Sequence, residues 1–168
     1  GIKCARYHAG LSRDERKQTS EAFTSERIDV VVATVAFGVG IDRPDVRFVA
    51  HASLPKGFEQ YVQETGRAGR DGLPSECVLF AKTSDRQSWG RLIERSTQEA
   101  VDEGGDEATL RDEERGAMIR LDEIANYTGA AACRHRHLAQ HFGQDLEAEK
   151  CGACDVCLGE LEAVNDST

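Results

Sequence analysis

The sequence predicts an α/β fold in two parts, an open parallel sheet followed by a small, mostly helical unit. β-Branched apolar runs such as DVVVATV (29–35) are of the kind buried in parallel sheets. Helical patterns separate several of these runs, as in alternating strand and helix units. Residues 1–95 carry 15 Lys and Arg against 13 Asp and Glu, whereas residues 96–168 carry 6 against 17. We therefore expect a sheet lobe over 1–95, a helical unit over 96–160 and a tail over 161–168.

The first part contains four predicted strands and a clearly marked helix. Ser12 and Glu15 form a capping box, S-x-x-E, which begins a helix that runs to about Thr24. Short alternating or β-branched runs predict the strands. These runs are KCARY (3–7), DVVVATV (29–35), RFVAHASL (47–54) and ECVLFA (76–81).

Helices dominate the predicted second part. Ser84 and Gln87 form another capping box and predict that a helix begins there. The stretch 99–114 has eight acids, one arginine and a Gly pair, so we expect a solvated connector or a frayed helix end. Apolar residues at helical spacing mark two later helices, one with Met118, Leu121, Ile124, Ala125 and Thr128 and one with Leu138 and Phe142.

The stretch QETGRAGRDG (63–72) presents two arginines among three glycines. On a helix, at about 100° per residue, Gln63, Arg67 and Arg70 fall within about 60° of one another. The opposite, apolar side would then pack on the sheet. Each glycine weakens a helix by about 1 kcal/mol relative to alanine, which indicates a turn or close backbone approach near Gly69 and Gly72. The alternative is a solvated polar face that ends in a glycine-rich turn.

A second glycine-containing stretch, ATVAFGVGID (33–42), follows a strand pattern. Thr34 ends the strand, Gly38 and Gly40 follow it, and Asp42 lies just beyond. Open α/β sheets bind ligands where strands end and turn through glycines. Taken alone, the G-x-G pattern also fits a tight turn with a purely steric role.

Four cysteines, Cys133, Cys151, Cys154 and Cys157, have the spacing C-x17-C-x2-C-x2-C. Four thiolates suit tetrahedral Zn²⁺, and the filled coordination predicts a structural ion. Cys4 and Cys77 lie apart in strand patterns, and we expect them to be small core residues.

Three alternatives compete with zinc at these cysteines. Disulfides are rare in reduced compartments. An iron–sulfur run of the bacterial type needs a further cysteine after three intervening residues, followed by proline, but that position is Leu161. Histidines could replace one of the thiols, although we expect all three on a polar helix face; they are His135, His137 and His141.

The order of these motifs resembles the RecQ family of DNA helicases. The resemblance rests on YHAGL (7–11), ATVAFGVGID, HASLPKGFEQYVQETGRAGRDG (51–72) and the four cysteines, and it extends to about Glu160. It implies the second RecA-like lobe of a motor, truncated at its start, followed by a zinc-binding subdomain. In such motors ATP and Mg²⁺ lie between two lobes. The sequence has no G-x-x-x-x-G-K-[ST] phosphate loop, so we expect a fragment that does not hydrolyse ATP by itself.

The resemblance also implies roles for individual residues. Arg67 and Arg70 would be catalytic, reaching across to the γ-phosphate of ATP held mainly by the missing first lobe. Gln63 would orient nucleotide or water, while Asp42 would couple the two motifs, with Gly40 also at the nucleotide.

Contacts to single-stranded DNA are implied for His8, Thr34 and Gly38, along the backbone and without base specificity. For His8 the alternative is hydrogen bonding at a strand end. A basic patch of Arg134, Arg136 and His137 is a further possibility in the second part.

We therefore expect the C-terminal motor fragment of an ATP-dependent 3′-to-5′ DNA helicase that unwinds DNA in repair or recombination. The alternative is a non-catalytic zinc module that binds DNA or protein. No apolar run approaches the roughly 18 residues of a membrane span, and no secretory signal opens the sequence. We expect an intracellular protein, in the cytoplasm or nucleoid of a bacterium or the nucleus of a eukaryote, without a membrane partner.

Overall fold

The computed structural model describes residues 1–34 and 43–161. Two compact units are present: a sheet unit, Gly1–Ala50 with Gln63–Val78, and a helical unit, His51–Val62 with Leu79–Thr168. Secondary structure within the described ranges comprises β1 (Cys4–Tyr7), α1 (Arg13–Thr24), β2 (Val30–Ala33), β3 (Phe48–His51), α2 (Phe58–Thr65), β4 (Glu76–Leu79), α3 (Thr83–Asp102), α4 (Glu107–Gly129), α5 (Arg134–His141) and α6 (Asp155–Leu158). The predicted α/β class and all four strands are confirmed, while the boundaries at 95 and 160 stay predictions.

Strands β1 and β2 pair in parallel, with Cys4 opposite Val30 and Tyr7 opposite Ala33. The backbone N–H of Thr34 donates to the Tyr7 carbonyl at 3.0 Å and extends the ladder by one step. Both strands therefore end at the same edge, which is the parallel arrangement that the β-branched sequence of β2 predicts. The burial expected of this run is not found, because Val30 and Val31 are half-buried while Val32 and Ala33 are exposed.

Strands β3 and β4 form a second pair. The Glu76 N–H donates to the Arg47 carbonyl, and the Phe80 N–H donates to the His51 carbonyl, each at 2.9 Å. The bonds advance by four residues in the same direction along both strands, so this pair is also parallel. Among the described residues the four strands thus form two separate two-stranded sheets rather than one open sheet.

The capping box that begins α1 is confirmed. Glu15 N–H donates to the Ser12 hydroxyl at 3.2 Å, and Ser12 N–H donates to the Glu15 carboxylate at 2.9 Å. The hydrogen bond from the Ser12 side chain is the main cause of a lowered pKa at Glu15. The helix ends at Thr24 as predicted.

The second predicted capping box is wrong, because α3 begins at Thr83, ahead of Ser84. The Asp85 carboxylate accepts from the backbone N–H groups of Lys82 at 3.1 Å and Leu54 at 3.2 Å. A single carboxylate thereby satisfies the start of the helix and also ties it to the loop before α2, which a local pattern does not reveal.

The prediction of a connector over 99–114 is also wrong, since α3 runs to Asp102 and α4 begins at Glu107. Helices α3 and α4 pack on each other. At the short link between them the Asp106 carboxylate accepts from Thr109 N–H at 3.0 Å and caps α4. A Cβ on Gly105 would lie 2.8 Å from a Leu110 methyl and 3.0 Å from the Ala100 carbonyl oxygen, so a larger residue there would have to displace these neighbours.

The core of the helical unit is aromatic and aliphatic. Phe58 and Tyr61 of α2 are buried, and the Phe58 ring meets the Tyr127 ring of α4 edge to face at 5.3 Å. The apolar side of α2 thus packs against α4 and also contacts the strands, since the Tyr61 ring lies 5.2 Å from the His51 ring of β3 and Leu79 of β4 packs against the same cluster. Among the described residues, this buried cluster consists of Leu54, Phe58, Tyr61, Leu121, Ile124 and Tyr127.

Two smaller expectations concern cysteines and membrane spans. Cys4 and Cys77 are exposed, so their prediction as core residues is wrong. Within residues 1–34 and 43–161, no helix combines the length and apolar character that crossing a bilayer requires.

Candidate metal centre and arginine turn

Four cysteines converge at the end of the helical unit. Cys133 precedes α5, Cys151 lies in the loop that follows, Cys154 caps α6 and Cys157 lies within α6. Their four Sγ atoms all lie within 4.8 Å of one another. Cys133 and Cys154 are buried, and the other two are half-buried. The fold therefore gathers the four predicted ligands into one cluster.

The size of the cluster fits zinc. Four sulfurs about 2.3 Å from a tetrahedral Zn²⁺ lie about 3.8 Å apart, within the observed separations. No histidine belongs to this cluster, which is the one such group among the described residues. Substitution of His135, His137 or His141 for a thiol is thus not the arrangement found. With four ligands from the chain, the coordination sphere is filled and the site is structural.

The electrostatics of the thiols also fit a cation. Burial alone would raise the pKa of Cys133, but backbone N–H groups of Arg136 and Cys151 outweigh it and lower that pKa to about 6. Burial and the neighbouring Cys154 raise the pKa of Cys157 to about 11. The cluster thus favours a thiolate at Cys133 and opposes one at Cys157, and a divalent ion that attracts all four thiolates would offset that opposition.

Arg134 connects the segments around this centre through hydrogen bonds and an ion pair. Its guanidinium forms a fork with the Asp155 carboxylate, with Nε–Oδ1 and Nη2–Oδ2 distances of 3.0 Å. The same group donates to the backbone carbonyls of Tyr127 and Ala130 at the end of α4, and the Arg134 N–H donates to Cys154 Sγ at 3.4 Å. Sequence reasoning missed this role; Arg134 follows Cys133 and Asp155 follows Cys154, which is the signal that could have revealed it.

The predicted basic patch is therefore wrong. The Arg134 side chain is 13% exposed and bonded within the protein. The ring of His137 lies 5.8 Å from Phe58 and 5.4 Å from Tyr127. His141 also contacts Phe58, with ring centroids 4.3 Å apart, and so these two histidines are half-buried against aromatic rings. Only His135 of the three is exposed as predicted.

At the edge of the sheet unit, the structure brings two predicted nucleic-acid contacts together. His8 follows β1 and Thr34 follows β2, directly after the paired residues Tyr7 and Ala33. Both lie at the carboxyl edge of the parallel pair, where α/β sheets bind ligands. Gly38, Gly40 and Asp42 lie outside the described residues.

The arginine turn, residues 66–72, differs from its prediction. Helix α2 ends at Thr65, so Arg67 and Arg70 lie in consecutive turns and do not share a helical face with Gln63. Gly69 and Gly72 adopt positive φ values of 65° and 78°, which confirms the turn expected there. A Cβ on Gly69 would lie 2.6 Å from the Ser75 hydroxyl and 3.1 Å from the Leu73 carbonyl oxygen, so a side chain would also be crowded at this position.

The side chains of this segment differ in exposure. Gln63 and Arg70 are exposed, and Arg67 is half-buried. The Arg70 Nε donates to the Gly66 carbonyl at 3.2 Å, one turn back along the chain.

Two protein families match the chain in succession. The family described as helicase conserved C-terminal domain matches residues 1–72, and the family described as RecQ zinc-binding matches residues 83–158. The second range contains all four clustered cysteines.

Known relatives match along nearly the whole chain. ATP-dependent DNA helicase RecQ of Bacillus subtilis is 38% identical over 99% of this chain and 26% of its own length. ATP-dependent helicase SGS1 of Saccharomyces cerevisiae is 36% identical over 99% of this chain and 11% of its own length. RecQ-like DNA helicase blm-1 of Caenorhabditis elegans is 38% identical over 94% of this chain and 15% of its own length. The chain thus spans about a quarter or less of the relatives that it matches.

Proposed function

The chain belongs to the RecQ family of DNA helicases, and from that membership we propose that it is part of an ATP-dependent motor that unwinds DNA from 3′ to 5′ in repair or recombination. The succession of a helicase match over 1–72 and a zinc-binding match over 83–158 carries this proposal. The cluster of four thiols adds independent support from geometry. Because the chain spans only part of its relatives, the activity is proposed for the whole protein.

In this proposal, Arg67 and Arg70 stabilise negative charge on the γ-phosphate of ATP during hydrolysis. A guanidinium matches phosphate geometry with parallel N–H donors, and its charge persists at any physiological pH. An arginine that reaches into a phosphoryl-transfer site contributes roughly 10³–10⁵ in rate. ATP and Mg²⁺ would be held mainly by a first lobe, with Gln63, Gly40 and Asp42 contributing at the nucleotide.

DNA contacts are proposed for the carboxyl edge of β1 and β2. The His8 ring and the Thr34 hydroxyl both offer hydrogen bonds to phosphate oxygens, and Gly38 would offer a backbone N–H. Contacts of this type position a strand but do not read its bases. A motor that moves along any sequence requires such sequence-independent contacts.

The proposed zinc ion is structural: bound to four thiolates, it cross-links the start of α5 to the loop and helix over 151–157. The chain's own residues then complete the arrangement, since Arg134 ties this loop to the end of α4. The ion therefore stabilises the helical unit without a part in ATP chemistry.

The proposal is tested by ATP hydrolysis in the full-length protein that contains this chain. Arg70→Ala should lower the kcat of DNA-stimulated hydrolysis by roughly 10³-fold or more, because the charge acts in the transition state. Nucleotide binding, measured with a fluorescent ATP analogue, should remain within about threefold. Arg67→Ala should act in the same direction.

Arg115→Ala is the matched control, since Arg115 is an exposed arginine on α4 whose side chain is 71% exposed. Its turnover should equal that of the parent. Full activity in Arg67→Ala and Arg70→Ala would show that the role given to these arginines is wrong. Unwinding of duplexes with a 5′ tail but not a 3′ tail would contradict the proposed polarity.

A further inference from the structure

The arginine turn contains no helix or strand. Its internal hydrogen bonds are short-range, from Ala68 N–H to the Thr65 carbonyl at 3.0 Å and from Gly72 N–H to the Gly69 carbonyl at 2.9 Å. Such local bonds curve the chain but do not fix the direction in which the turn presents its arginines. That direction depends on contacts with the rest of the sheet unit.

Two backbone contacts come from the neighbouring segment, residues 44–47. Gly69 N–H donates to the Val46 carbonyl at 3.0 Å, and Asp71 N–H donates to the Pro44 carbonyl at 3.2 Å. These two bonds attach the second half of the turn to the chain that leads into β3.

A side chain from the same segment, Arg47, adds a third attachment to the turn. Arg47 Nη2 lies 2.6 Å from the Asp71 Oδ2 atom, in an ion pair. Arg47 Nη1 donates to the Pro74 carbonyl at 3.1 Å, and Nε donates to the Asp45 carbonyl at 2.9 Å. All three guanidinium nitrogens are thus used, and a planar fork with three fixed donors resists rotation.

Both ends of this ion pair are themselves fixed. The Arg47 carbonyl accepts from Glu76 N–H at 2.9 Å, which anchors Arg47 in the β3–β4 ladder. The second oxygen of Asp71 accepts from Leu73 N–H at 3.1 Å. The side chains of Arg47 and Asp71 are 40% and 25% exposed, so the pair lies outside the apolar core. Its loss should alter the turn more than the stability of the unit.

We propose that Arg47 and Asp71 are positioning residues for Arg67 and Arg70. The ion pair between Arg47 and Asp71 fixes the direction of the arginine turn for phosphoryl transfer. The inference rests on the function proposed above, and neither residue contacts ATP. Displacement of a group by about 1 Å can lower a rate by roughly 100-fold when that group acts in the transition state. The pair should consequently affect kcat rather than the KM for ATP.

The test uses Asp71→Asn in the full-length protein. The kcat of DNA-stimulated ATP hydrolysis should fall about tenfold while the KM for ATP changes less than about twofold. Arg47→Lys keeps the charge but loses the three-donor fork, and it should show the same direction with a smaller loss. Asp112→Asn is the matched control, because it removes the exposed Arg115–Asp112 pair on α4, whose N–O distance is 3.1 Å.

A second measurement follows the turn directly in the 168-residue chain. Hydrogen exchange at the Gly69 and Asp71 amides should become at least several-fold faster in Asp71→Asn than in Asp112→Asn, because these amides donate to Val46 and Pro44. Unchanged exchange would overturn the inference. So would an unchanged kcat in Asp71→Asn when Arg70→Ala abolishes turnover. Normal turnover in Arg70→Ala would instead contradict the proposed function itself.

Discussion

At the metal centre, four thiols lie within 4.8 Å of one another and two of them are buried, whereas the arginine turn presents an exposed Arg70 beyond the end of a helix. The arginine–aspartate ion pairs beside the two sites differ in exposure in the same way. Arg134, 13% exposed, braces the metal centre from within. The partly exposed Arg47–Asp71 pair braces the turn from its surface. Each site therefore has an arginine–aspartate ion pair beside it, and the two pairs differ in how far they are buried.

The difference separates a site that the chain completes from a site that needs an outside ligand. All four zinc ligands come from residues 133–157, so binding the ion is coupled to folding of the segment itself. The arginines have donors suited to phosphate but no phosphate loop in this sequence to hold a nucleotide beside them. Stability experiments should therefore be most sensitive at the first site, and kinetic experiments at the second.

Metal removal is expected to have the largest effect. Chelation of the bound ion, or Cys151→Ser, should remove zinc and unfold the region of α5 and α6, since structural zinc contributes an apparent 10–16 kcal/mol or so in small zinc-binding peptides. Elemental analysis should give one zinc per chain before treatment. Hydrogen exchange should show that protection is lost in α5 while the Thr34 amide of the sheet unit retains it.

Cys77→Ser serves as the control, because Cys77 is exposed and lies in β4 outside the cluster. It should bind zinc like the parent. Iron in place of zinc would contradict the assigned metal, and equal loss of protection in both units would contradict the contrast between the two sites.

An intermediate effect is expected from substitutions in the arginine turn. Gly69→Ala should destabilise the chain by about 2–3 kcal/mol, because alanine is strained at φ 65° and its Cβ would lie 2.6 Å from the Ser75 hydroxyl. Gly72→Ala should cost only about 1–2 kcal/mol, since φ is also positive but no atom lies within 4 Å of the added carbon. Urea unfolding of the two variants measures the difference. Equal costs would mean that space at Gly69 is not limiting.

The smallest effect is expected from pH. A hydrogen bond from Arg43 lowers the pKa of Asp45, and one from Arg47 lowers the pKa of Asp71. Each carboxylate thus contributes stability that is present above its unfolded pKa, near 3.8, and is lost as pH falls through its lower folded pKa. Exchange at the Gly69 and Asp71 amides, corrected for intrinsic rates, should lose protection below about pH 4. Asp71→Asn should flatten that dependence, and an unchanged profile would contradict it.

Local patterns predicted the parts of the fold that depend on local chemistry. The Ser12 hydroxyl accepts from the Glu15 N–H three residues on, and the β-branched run at β2 favours an extended chain even though Val32 is exposed. The four cysteines were predicted as ligands because their spacing suits a metal, and the structure brings them together. The sequence placed His8 and Thr34 at strand ends, and the parallel pairing of β1 and β2 puts both at the same edge.

Other features depended on contacts that a local pattern does not contain. The helical spacing of Gln63, Arg67 and Arg70 continues past Thr65, but the left-handed Gly69 and its bond to Val46 turn the chain away from the helix. The acidic stretch 99–114 was predicted as a connector from its charge. It is mostly helical because α3 and α4 pack together while acids such as Glu113 remain exposed.

The sequence by itself determined the α/β class, the position of the strands, the start of α1 and the identity of the metal ligands, because these follow from residue type and spacing over a few positions. Only the tertiary structure decided where α2 ends, what its apolar side contacts and which arginines form ion pairs beside the two sites. Arg47, Arg70 and Arg134 have the same chemistry in the sequence. Their roles differ because Arg47 and Arg134 pair with carboxylates from distant segments, Asp71 and Asp155, whereas Arg70 Nε donates to the Gly66 carbonyl within its own turn.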